Sequence, residues 1–309
     1  MLAIWIFVFI ASLAVLIKSA DWLLHGAEKI GLRAGLSPFI VGVTIVAFGT
    51  SFPELVSSLV AVFQNVPEVV AANAVGSNIA NIFLVVGFAA VFGKKLVVSK
   101  SLIDLDLPLI SLATAIFVMV AYDGSVTLPE SIFLLITYGV YLVFSIIYKE
   151  DDEKLKEDRP KVTFKDIVLL VVGIIGLSIG AKYLIDSVTA LSVMLNIGTG
   201  VIAITAVALG TSLPELLVSV KAAMKGEAEV ALGNVFGSNV FNVLVVVGIP
   251  GLFKTLPLDS QTLSLGLPFL VLSTVLFVIS GVSSRIHIQE GILYLLLYIL
   301  FTVKLFGLF

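Results

Sequence analysis

Residues 42–87 read GVTIVAFGTSFPELVSSLVAVFQNVPEVVAANAVGSNIANIFLVVG, and residues 203–248 read AITAVALGTSLPELLVSVKAAMKGEAEVALGNVFGSNVFNVLVVVG. The two stretches align without gaps at an offset of 161 residues, and 21 of the 46 aligned positions are identical. Shared hydrophobicity alone does not produce so many identities. The chain therefore contains an internal duplication, and this duplication predicts the architecture.

The composition around the duplication is typical of a membrane protein. Of the 309 residues, 59% are hydrophobic and 13% are charged, and the mean hydropathy is +1.17. A soluble domain carries about twice that share of charge and has no way to cover so much apolar surface. The predicted solvent is the lipid bilayer, in which the backbone must satisfy its own hydrogen bonds.

Apolar windows of about 20 residues, each long enough to cross the hydrocarbon core, predict an all-α membrane protein with ten transmembrane helices. The first window has no positive charge before Lys18, unlike a signal peptide, so we interpret it as a retained span. The windows lie near residues 2–20, 36–63, 69–93, 102–121, 129–148, 164–187, 197–224, 228–252, 262–281 and 287–308.

The ten windows divide into two repeats of five helices. Residues 1–148 form the first repeat, residues 149–163 a charged linker and residues 164–309 the second repeat. Because five is an odd number, the second copy must have inverted topology. Inverted repeats place a substrate site near the middle of the membrane, between the copies.

Positive charge predicts which side each loop faces. Cytoplasmic loops retain Lys and Arg near span ends, and the odd-numbered loops and their edges hold most of these residues. Lys182, Lys254 and Lys304 are the exceptions. We therefore predict that both termini are extracellular and that the linker 149–163 is cytoplasmic.

Two polar strings recur inside the predicted spans. Residues 49–54 (GTSFPE) match 210–215 (GTSLPE), and residues 76–81 (GSNIAN) match 237–242 (GSNVFN). The first string of each copy places a glutamate, Glu54 or Glu215, within an apolar span. Since a carboxylate at that depth costs a few kcal/mol or more, it indicates a function.

Proline adds backbone oxygens beside each glutamate. Pro53 and Pro214 have no N–H, so the carbonyls of Gly49 and Gly210 lose their helical partners. We predict a helix broken at the midplane in each copy, with further carbonyls freed near Thr50 and Thr211. Oxygen ligands of this kind suit hard cations such as Ca²⁺ and Na⁺, and neither string offers a softer ligand for other metals.

The second string of each copy places a serine and an asparagine on one helix face, because they are four residues apart. Taken alone, these pairs are explained by hydrogen bonding between helices, but their duplication in register with a glutamate favours ion ligation. Gly76 and Gly237 let another helix approach closely, and we predict that the face with the serine and the asparagine meets the broken helix of the same copy. The pairs are Ser77 with Asn81 and Ser238 with Asn242.

Other candidates have simpler explanations. Glu68 and Glu229 are duplicated, but each lies where a span begins, and a helix N-terminus favours an acid; the alternative is that they line an access path. His25 and His287 are predicted to be surface residues in or beside cytoplasmic loops.

Several classes of protein are disfavoured. The chain has no cysteine, which removes disulfides, thiolate metal sites and thiol nucleophiles. No basic patch alternates with aromatics, so a nucleic acid is not an expected partner. HExxH does not occur, and neither histidine lies in the interior of a predicted span, so we expect neither an enzyme nor a cofactor.

The two strings resemble those of the calcium/cation antiporter superfamily, the Na⁺/Ca²⁺ exchangers, whose repeats carry GTSxPE in one span and GSNxxN in the next. The resemblance covers the whole ten-span layout, and the short loops are similar to those of prokaryotic members. It implies electrogenic antiport of Na⁺ for Ca²⁺ by alternating access in the cell membrane, with spans one and six sliding across the other eight.

The resemblance also implies roles for individual residues. Glu54 and Glu215 would bind Ca²⁺ together with the backbone carbonyls of Thr50 and Thr211. Na⁺ would use overlapping positions on the same two glutamates and on Ala47, Ala208, Thr50, Thr211, Ser77 and Ser238. The other predicted ion-binding residues are Ser51, Ser212, Asn81 and Asn242.

Alternatives remain at this point. Some family members carry aspartate at the position of Asn81 or Asn242, which is associated with potassium dependence or a protonatable group; asparagine in both copies favours simple Na⁺/Ca²⁺ exchange. An H⁺/Ca²⁺ antiporter, a K⁺-dependent exchanger and a channel are the rival functions. The oligomeric state is not determined by the sequence, and a monomer is the working expectation.

Overall fold

The computed structural model describes residues 2–97, 107–147, 160–194, 212–283 and 285–307, and these residues are almost entirely helical. The helices, labelled in chain order, are α1 (Leu2–Arg33), α2 (Pro38–Phe63), α3 (Glu68–Phe92), α4 (Leu107–Ala121), α5 (Leu128–Ile147), α6 (Phe164–Met194), α7 (Leu213–Met224), α8 (Ala228–Gly251), α9 (Thr262–Val282) and α10 (Ile288–Leu305).

Within the described ranges, eight of these helices are long and apolar enough to cross a membrane. The two shorter ones are α4, with 15 residues, and α7, with 12 residues. The coarse prediction of a helical multi-pass membrane protein is therefore confirmed. Most of the linker predicted at 149–163 lies outside the described residues.

Acidic side chains in the first turn cap two of the helices. Before α5, Oε2 of Glu130 accepts hydrogen bonds from the backbone N–H of Thr127 (2.7 Å) and from its hydroxyl (2.6 Å). Before α6, Oδ2 of Asp166 accepts from the backbone N–H of Thr163 (2.8 Å) and from its hydroxyl (2.7 Å). Each acid satisfies an N–H that the first turn leaves without a partner.

Asp259 plays the same part at the start of α9. Burial alone would raise the pKa of its carboxyl, but hydrogen bonds from Thr262 and Gln261 outweigh burial and hold the pKa below its usual range. The carboxylate therefore caps α9.

The first helix is longer than the sequence predicts. It continues to Arg33, well past the predicted end at residue 20. His25 consequently lies inside a helix and not in or beside a loop, and its Nε2 is 3.3 Å from Oδ1 of Asp166 on α6. The predicted position in or beside a loop was wrong because the helix extends beyond the apolar stretch, but the side chain of His25 is exposed, as predicted.

Helices α1 and α6 pack against each other along much of their length. Glycines on α6 permit this approach: a Cβ added at Gly173 would stand 2.7 Å from the backbone nitrogen of Leu23, and one added at Gly180 would stand 2.8 Å from Cγ of Leu16. Since real Cβ contacts of this length hardly occur, the two backbones meet at these positions. The two helices form one packed unit.

Helix α8 lies at the centre of the fold, and its most apolar 18-residue stretch is entirely buried. It packs against α2, where a Cβ added at Gly42 would stand 2.7 Å from the carbonyl oxygen of Val230. On the other side of the contact, a Cβ at Gly237 would stand 2.2 Å from the carbonyl oxygen of Val43. The duplicated stretches of the two copies are thus in backbone contact.

Two short antiparallel strand pairs also join the two halves of the chain. β1 (Lys95–Val97) pairs with β4 (Arg285–His287), and β2 (Ser125–Val126) pairs with β3 (Leu256–Pro257). The first residues of β1 and β3 differ by 161 and those of β2 and β4 by 160. By this offset β3 is the counterpart of β1 and β4 is the counterpart of β2. The two strand pairs are therefore counterparts of each other, and each contains one strand from each half of the chain.

Candidate ion-binding site

The two predicted glutamates lie on the helices that carry the GTSxPE strings. Glu54 is on α2 and Glu215 is in the first turn of α7, and each is only 1% exposed. The two carboxyl groups are close enough to interact electrostatically. A buried pair of like charges is unfavourable unless a cation or protons compensate it.

Hydrogen bonds join the strings of the two copies. The hydroxyl of Ser51 on α2 donates to Oε1 of Glu215 on α7 at 2.8 Å. The hydroxyl of Thr50 donates to Oδ1 of Asn234 on α8 at 3.1 Å and lies 3.4 Å from the hydroxyl of Ser238. The structure thus brings residues from both copies into one buried polar cluster.

Many side-chain oxygens of the duplicated strings have no hydrogen-bond partner among the described residues. Both carboxyl oxygens of Glu54 and Oε2 of Glu215 are buried in this condition. The side-chain oxygens that share it are Oδ1 of Asn78, Asn81, Asn239 and Asn242 and Oγ of Ser212. Leaving a buried polar atom unpaired costs about 1–3 kcal/mol. The unpaired carboxyl oxygens of Glu54 and Glu215 are groups whose burial a bound cation would compensate.

The ligands in the cluster have the chemistry of a hard-cation site. Within the described ranges, no group of three or more His, Cys, Asp or Glu residues is placed to hold a metal. The cluster instead combines two carboxylates with amide and hydroxyl oxygens. Oxygen ligands of mixed charge suit Ca²⁺ and Na⁺.

The predicted ligands are only partly described. Ala47, Thr50, Ser51, Ser77, Asn81, Ser238 and Asn242 are all buried. The carbonyl oxygen of Ala47 accepts a hydrogen bond of 3.3 Å from the hydroxyl of Thr50. Thr211 and Ala208 lie outside the described residues, and Ser212, in the turn before α7, is described and buried.

The predicted break in the first ion-binding helix is not present. Helix α2 is continuous through Pro53, and its irregular part is a π-helical turn at Gly42–Val46, before the GTSFPE string. Proline removes the single bond to the carbonyl of Gly49, and the neighbouring residues retain the helical conformation. In the second copy α7 begins at Leu213, inside the matching string 210–215.

The close helix approach predicted at the two glycines is found at one of them. Gly237 packs closely as expected, but against α2 of the other copy, where an added Cβ would stand 2.6 Å from Cβ of Ala47. A Cβ added at Gly76 meets no described atom within 4 Å. The serine and asparagine faces nevertheless meet the helix of their own copy, as predicted. Asn234, one turn before Ser238, bonds to Ser219 on α7, and Asn73, one turn before Ser77, bonds to Ser58 on α2.

Sequence reasoning missed two pairs of buried polar residues. Nδ2 of Asn234 donates to Oγ of Ser219 at 2.9 Å, and Nδ2 of Asn73 donates to Oγ of Ser58 at 3.4 Å. Asn234 is the counterpart of Asn73 and Ser219 is the counterpart of Ser58 at the offset of 161 residues. The alignment of the two copies therefore already showed both residues as duplicated. The first pair holds the asparagine that bonds to Thr50.

A third missed contact lies where the copies meet. Nδ2 of Asn78 donates to the backbone carbonyl of Asn239 at 2.9 Å. These two asparagines are also 161 residues apart, so each is the counterpart of the other. Both were visible within the GSN strings, where only the serine and the last asparagine were chosen as ligands.

The two duplicated acids at the helix starts remain outside the cluster. Glu68 begins α3, and Glu229 is in the first turn of α8, as predicted. Glu68 and Asp259 line a cavity of about 570 Å³ that extends along α3 to Gly76 and Ser77. His287 stays at the surface, in β4 opposite Lys95.

Comparison with known proteins identifies relatives of the whole chain. The family described as sodium/calcium exchanger protein matches residues 4–147 and 165–307. An uncharacterized membrane protein of Methanocaldococcus jannaschii is 33% identical over 305 residues, covering 97% of each chain. The sodium/calcium exchanger MaX1 of Methanosarcina acetivorans is 30% identical over 354 residues, covering 99% of each.

Solved structures agree with these relatives. The sodium/calcium exchanger from Methanococcus jannaschii superposes with a TM-score of 0.84 and 31% sequence identity, covering 97% of this chain and 98% of that chain. Both copies of the duplicated stretch lie within the residues that the family matches. With the fold, the paired buried glutamates and the matches over nearly its full length, this chain belongs to the sodium/calcium exchanger family.

Proposed function

We propose that this protein exchanges Na⁺ for Ca²⁺ across a membrane, with Glu54 and Glu215 as the two charged ligands of a shared ion site. The observation that carries the proposal is the set of buried, unpaired oxygens around these two carboxylates. Relatives at about one third identity that are named sodium/calcium exchangers support the same substrates.

The charge of the site explains why exchange is favoured over leak. Two ionised carboxylates supply a charge of −2, which one Ca²⁺ neutralises, whereas several Na⁺ ions must enter to do the same. A site that crosses the membrane without its ions would carry bare charge through a low-dielectric region, and this is costly. Ca²⁺ and Na⁺ therefore compete for the same oxygens, and this competition couples their movement.

Individual ligands follow from the cluster and from the family pattern. Ca²⁺ would bind Glu54 and Glu215 with the backbone carbonyls of Thr50 and Thr211. Na⁺ would bind the same glutamates at overlapping positions. The other Na⁺ ligands would be Ala47, Ala208, Thr50, Thr211, Ser77 and Ser238, and the surrounding oxygens those of Ser51, Ser212, Asn81 and Asn242.

The architecture of the proposal is ten spans in two inverted repeats. In support, the contact between Asn78 and Asn239 joins counterpart residues of the two copies, and the two strand pairs exchange counterpart strands. Such contacts are expected around a twofold pseudo-axis. The axis would lie in the membrane plane and pass through the ion site.

Alternating access would move α1 and α6 together. These helices pack closely on each other through Gly173 and Gly180, so they can slide as one body across the other helices. From the positive-inside pattern we propose that both termini lie outside and that the linker 149–163 is cytoplasmic. We propose a monomeric unit in the cell membrane, with electrogenic exchange.

One experiment separates this function from its nearest rival. Liposomes containing the purified protein are loaded with Na⁺, and uptake of ⁴⁵Ca²⁺ is followed while the outward Na⁺ gradient and the pH gradient are varied independently. The proposal requires uptake that depends on internal Na⁺ and not on the pH gradient. Uptake without Na⁺ that follows the pH gradient would indicate an H⁺/Ca²⁺ antiporter. Uptake that requires co-transported K⁺ would indicate a K⁺-dependent Na⁺/Ca²⁺ exchanger.

A further inference from the structure

One ion pair joins the first helix to the second ion-binding helix. Nζ of Lys221 on α7 lies 2.7 Å from Oδ2 of Asp21 on α1. The same ammonium group donates a hydrogen bond to the backbone carbonyl of Ile17, one helical turn before Asp21. The side chain of Lys221 is 19% exposed and that of Asp21 is 39% exposed, so the pair is partly shielded from water, and its charge-assisted bonds are stronger than those of an exposed pair.

The position of the pair places it on one side of the ion site. Lys221 follows Glu215 by six residues on α7, which corresponds to about 9 Å along a helix. It lies toward the end of α7 that leads to Lys225 and Glu227, the loop that the charge pattern assigns to the cytoplasm. The contact between α1 and α7 therefore belongs to the barrier on the cytoplasmic side of the site.

The described residues at the counterpart positions on the opposite side form no equivalent pair. At the offset of 161 residues, Asp21 corresponds to Lys182 on α6, and Lys221 corresponds to Val60 on α2. Val60 cannot form an ion pair with a lysine, and the ammonium of Lys182 instead lies 5.7 Å from the ring centroid of Tyr183. The duplication is thus broken at the two positions where an ionic contact would hold the outer barrier closed.

From this asymmetry we propose that the Asp21–Lys221 pair is a latch that biases the exchanger toward its outward-facing state. The proposal rests on the proposed function, in which α1 and α6 slide between two positions related by the inverted repeats. With the cytoplasmic barrier closed, Lys221 meets Asp21. With the outer barrier closed, the corresponding contact would place Lys182 beside Val60, and no ionic bond compensates the lost pair.

The latch acts on the equilibrium between the two states and leaves the ion ligands unchanged. A two-state carrier binds ions at one face in proportion to the fraction that faces that side. Breaking the pair should therefore lower the half-saturating Ca²⁺ concentration at the cytoplasmic face and raise it at the outer face. For a partly exposed charge-assisted pair, we expect the ratio of the half-saturating Ca²⁺ concentrations at the cytoplasmic and outer faces to change by about 3- to 10-fold.

The test uses right-side-out and inside-out membrane vesicles, in which the half-saturating Ca²⁺ concentration of Na⁺-dependent uptake is measured at each face. Lys221→Val places on α7 the residue type of its counterpart on α2, Val60. Asp21→Asn removes the charge of the other partner. Both variants should change the ratio in the same direction, and the double charge reversal of Asp21→Lys with Lys221→Asp should restore it toward the wild-type value.

The matched control is the ion pair between Lys29 and Asp166, 3.1 Å long, which joins α1 to α6 within the unit that moves together. Lys29→Gln should leave the ratio unchanged, because that pair is kept in both states. An unchanged ratio in Lys221→Val and Asp21→Asn would overturn the latch, and so would an equal change in Lys29→Gln.

A second measurement tests the latch without measuring transport. Hydrogen–deuterium exchange of the protein in lipid vesicles should show faster amide exchange across residues 216–224 in Lys221→Val and Asp21→Asn than in Lys29→Gln. Equal exchange in all three variants would contradict the latch. Absence of Na⁺-dependent uptake in the wild-type protein would instead contradict the proposed function.

Discussion

The hydroxyl of Ser51 on α2 donates a hydrogen bond of 2.8 Å to the carboxylate of Glu215 on α7. This bond links the GTSxPE string of one copy to the glutamate of the other. Ser212 is the counterpart of Ser51, and its hydroxyl has no partner in the described part of the chain, as is true of both carboxyl oxygens of Glu54. The two glutamates are therefore chemically duplicated but differently bonded in this structure.

Removal of this bond should weaken ion binding without abolishing it. Ser51→Ala leaves Oε1 of Glu215 without its donor, and a hydrogen bond to a charged group contributes about 1.5–3 kcal/mol. Because a bound ion compensates part of the lost hydrogen-bond energy, we expect the half-saturating Ca²⁺ concentration to rise about 10-fold. The measurement is Na⁺-dependent ⁴⁵Ca²⁺ uptake as a function of Ca²⁺ concentration.

Ser57→Ala is the control for this variant. Its hydroxyl is on the same helix, but it bonds to the backbone carbonyl of Glu54 at 2.9 Å and reaches no carboxylate. If Ser57→Ala and Ser51→Ala change half-saturation equally, the bond to Glu215 has no specific part in ion binding.

The asparagine that supports Thr50 should matter more than its counterpart. Asn234→Ala removes the acceptor of the 3.1 Å bond from Thr50 and the donor of the 2.9 Å bond to Ser219, all at buried residues. Asn73→Ala removes one longer contact of 3.4 Å at a half-buried position. We expect Asn234→Ala to weaken Na⁺ activation of uptake about 10-fold and Asn73→Ala to weaken it less. The reverse order would show that the Thr50 contact does not orient a ligand.

Close packing between α2 and α8 predicts the effect of one added methyl group. Gly237→Ala would place Cβ 2.2 Å from the carbonyl oxygen of Val43, and the backbones must separate to accept it. Overpacking of this kind costs about 1–3 kcal/mol, and we expect a lower melting temperature and loss of most transport. Gly139→Ala on α5, where an added Cβ meets no described atom within 4 Å, is the matched control. Normal stability and transport in Gly237→Ala would contradict the packing described for the site.

A third carboxylate should change the ion requirement of the exchanger. Asn81 and Asn242 are buried, and their side-chain oxygens have no partner among the described residues; if they belong to the proposed ion site, aspartate at either position raises the charge of the empty site from −2 to −3. One Ca²⁺ then leaves a net negative charge, so we expect Asn242→Asp to need a further proton or monovalent cation. The measurement is uptake against pH and against added K⁺. Uptake that stays as insensitive to both as in the wild type would place Asn242 outside the ion site.

The duplication explains why much of the fold was predictable from the sequence. Apolar windows located the helices because a span in lipid must be long and apolar. They misplaced the end of α1 because a helix that projects beyond the membrane continues without an apolar signal, as the stretch up to Arg33 does. Helix contacts were harder to predict. The contact between Gly237 and α2 of the other copy depends on how the repeats interlock, which the pattern within a single repeat does not contain.

The sequence indicated the two charged residues of the proposed ion site and missed the neutral residues that bond around them. Glu54 and Glu215 are found because a carboxylate in an apolar span is costly and therefore functional. Asn73, Asn234 and their serine partners are neutral, so their residue type alone indicates only hydrogen bonding. Proline at position 53 suggested a broken helix, whereas α2 absorbs the missing N–H within a continuous helix and has its π-helical turn earlier.

The measurement that tests the shared site most directly is calorimetric titration of Ca²⁺ into the purified protein, with and without Na⁺. We predict one Ca²⁺ bound per chain in Na⁺-free buffer, weaker apparent binding as Na⁺ is raised, and loss of binding in both Glu54→Gln and Glu215→Gln. Ca²⁺ binding that Na⁺ does not weaken, or that survives in both variants, would contradict the proposal that the two glutamates form one site for which the ions compete.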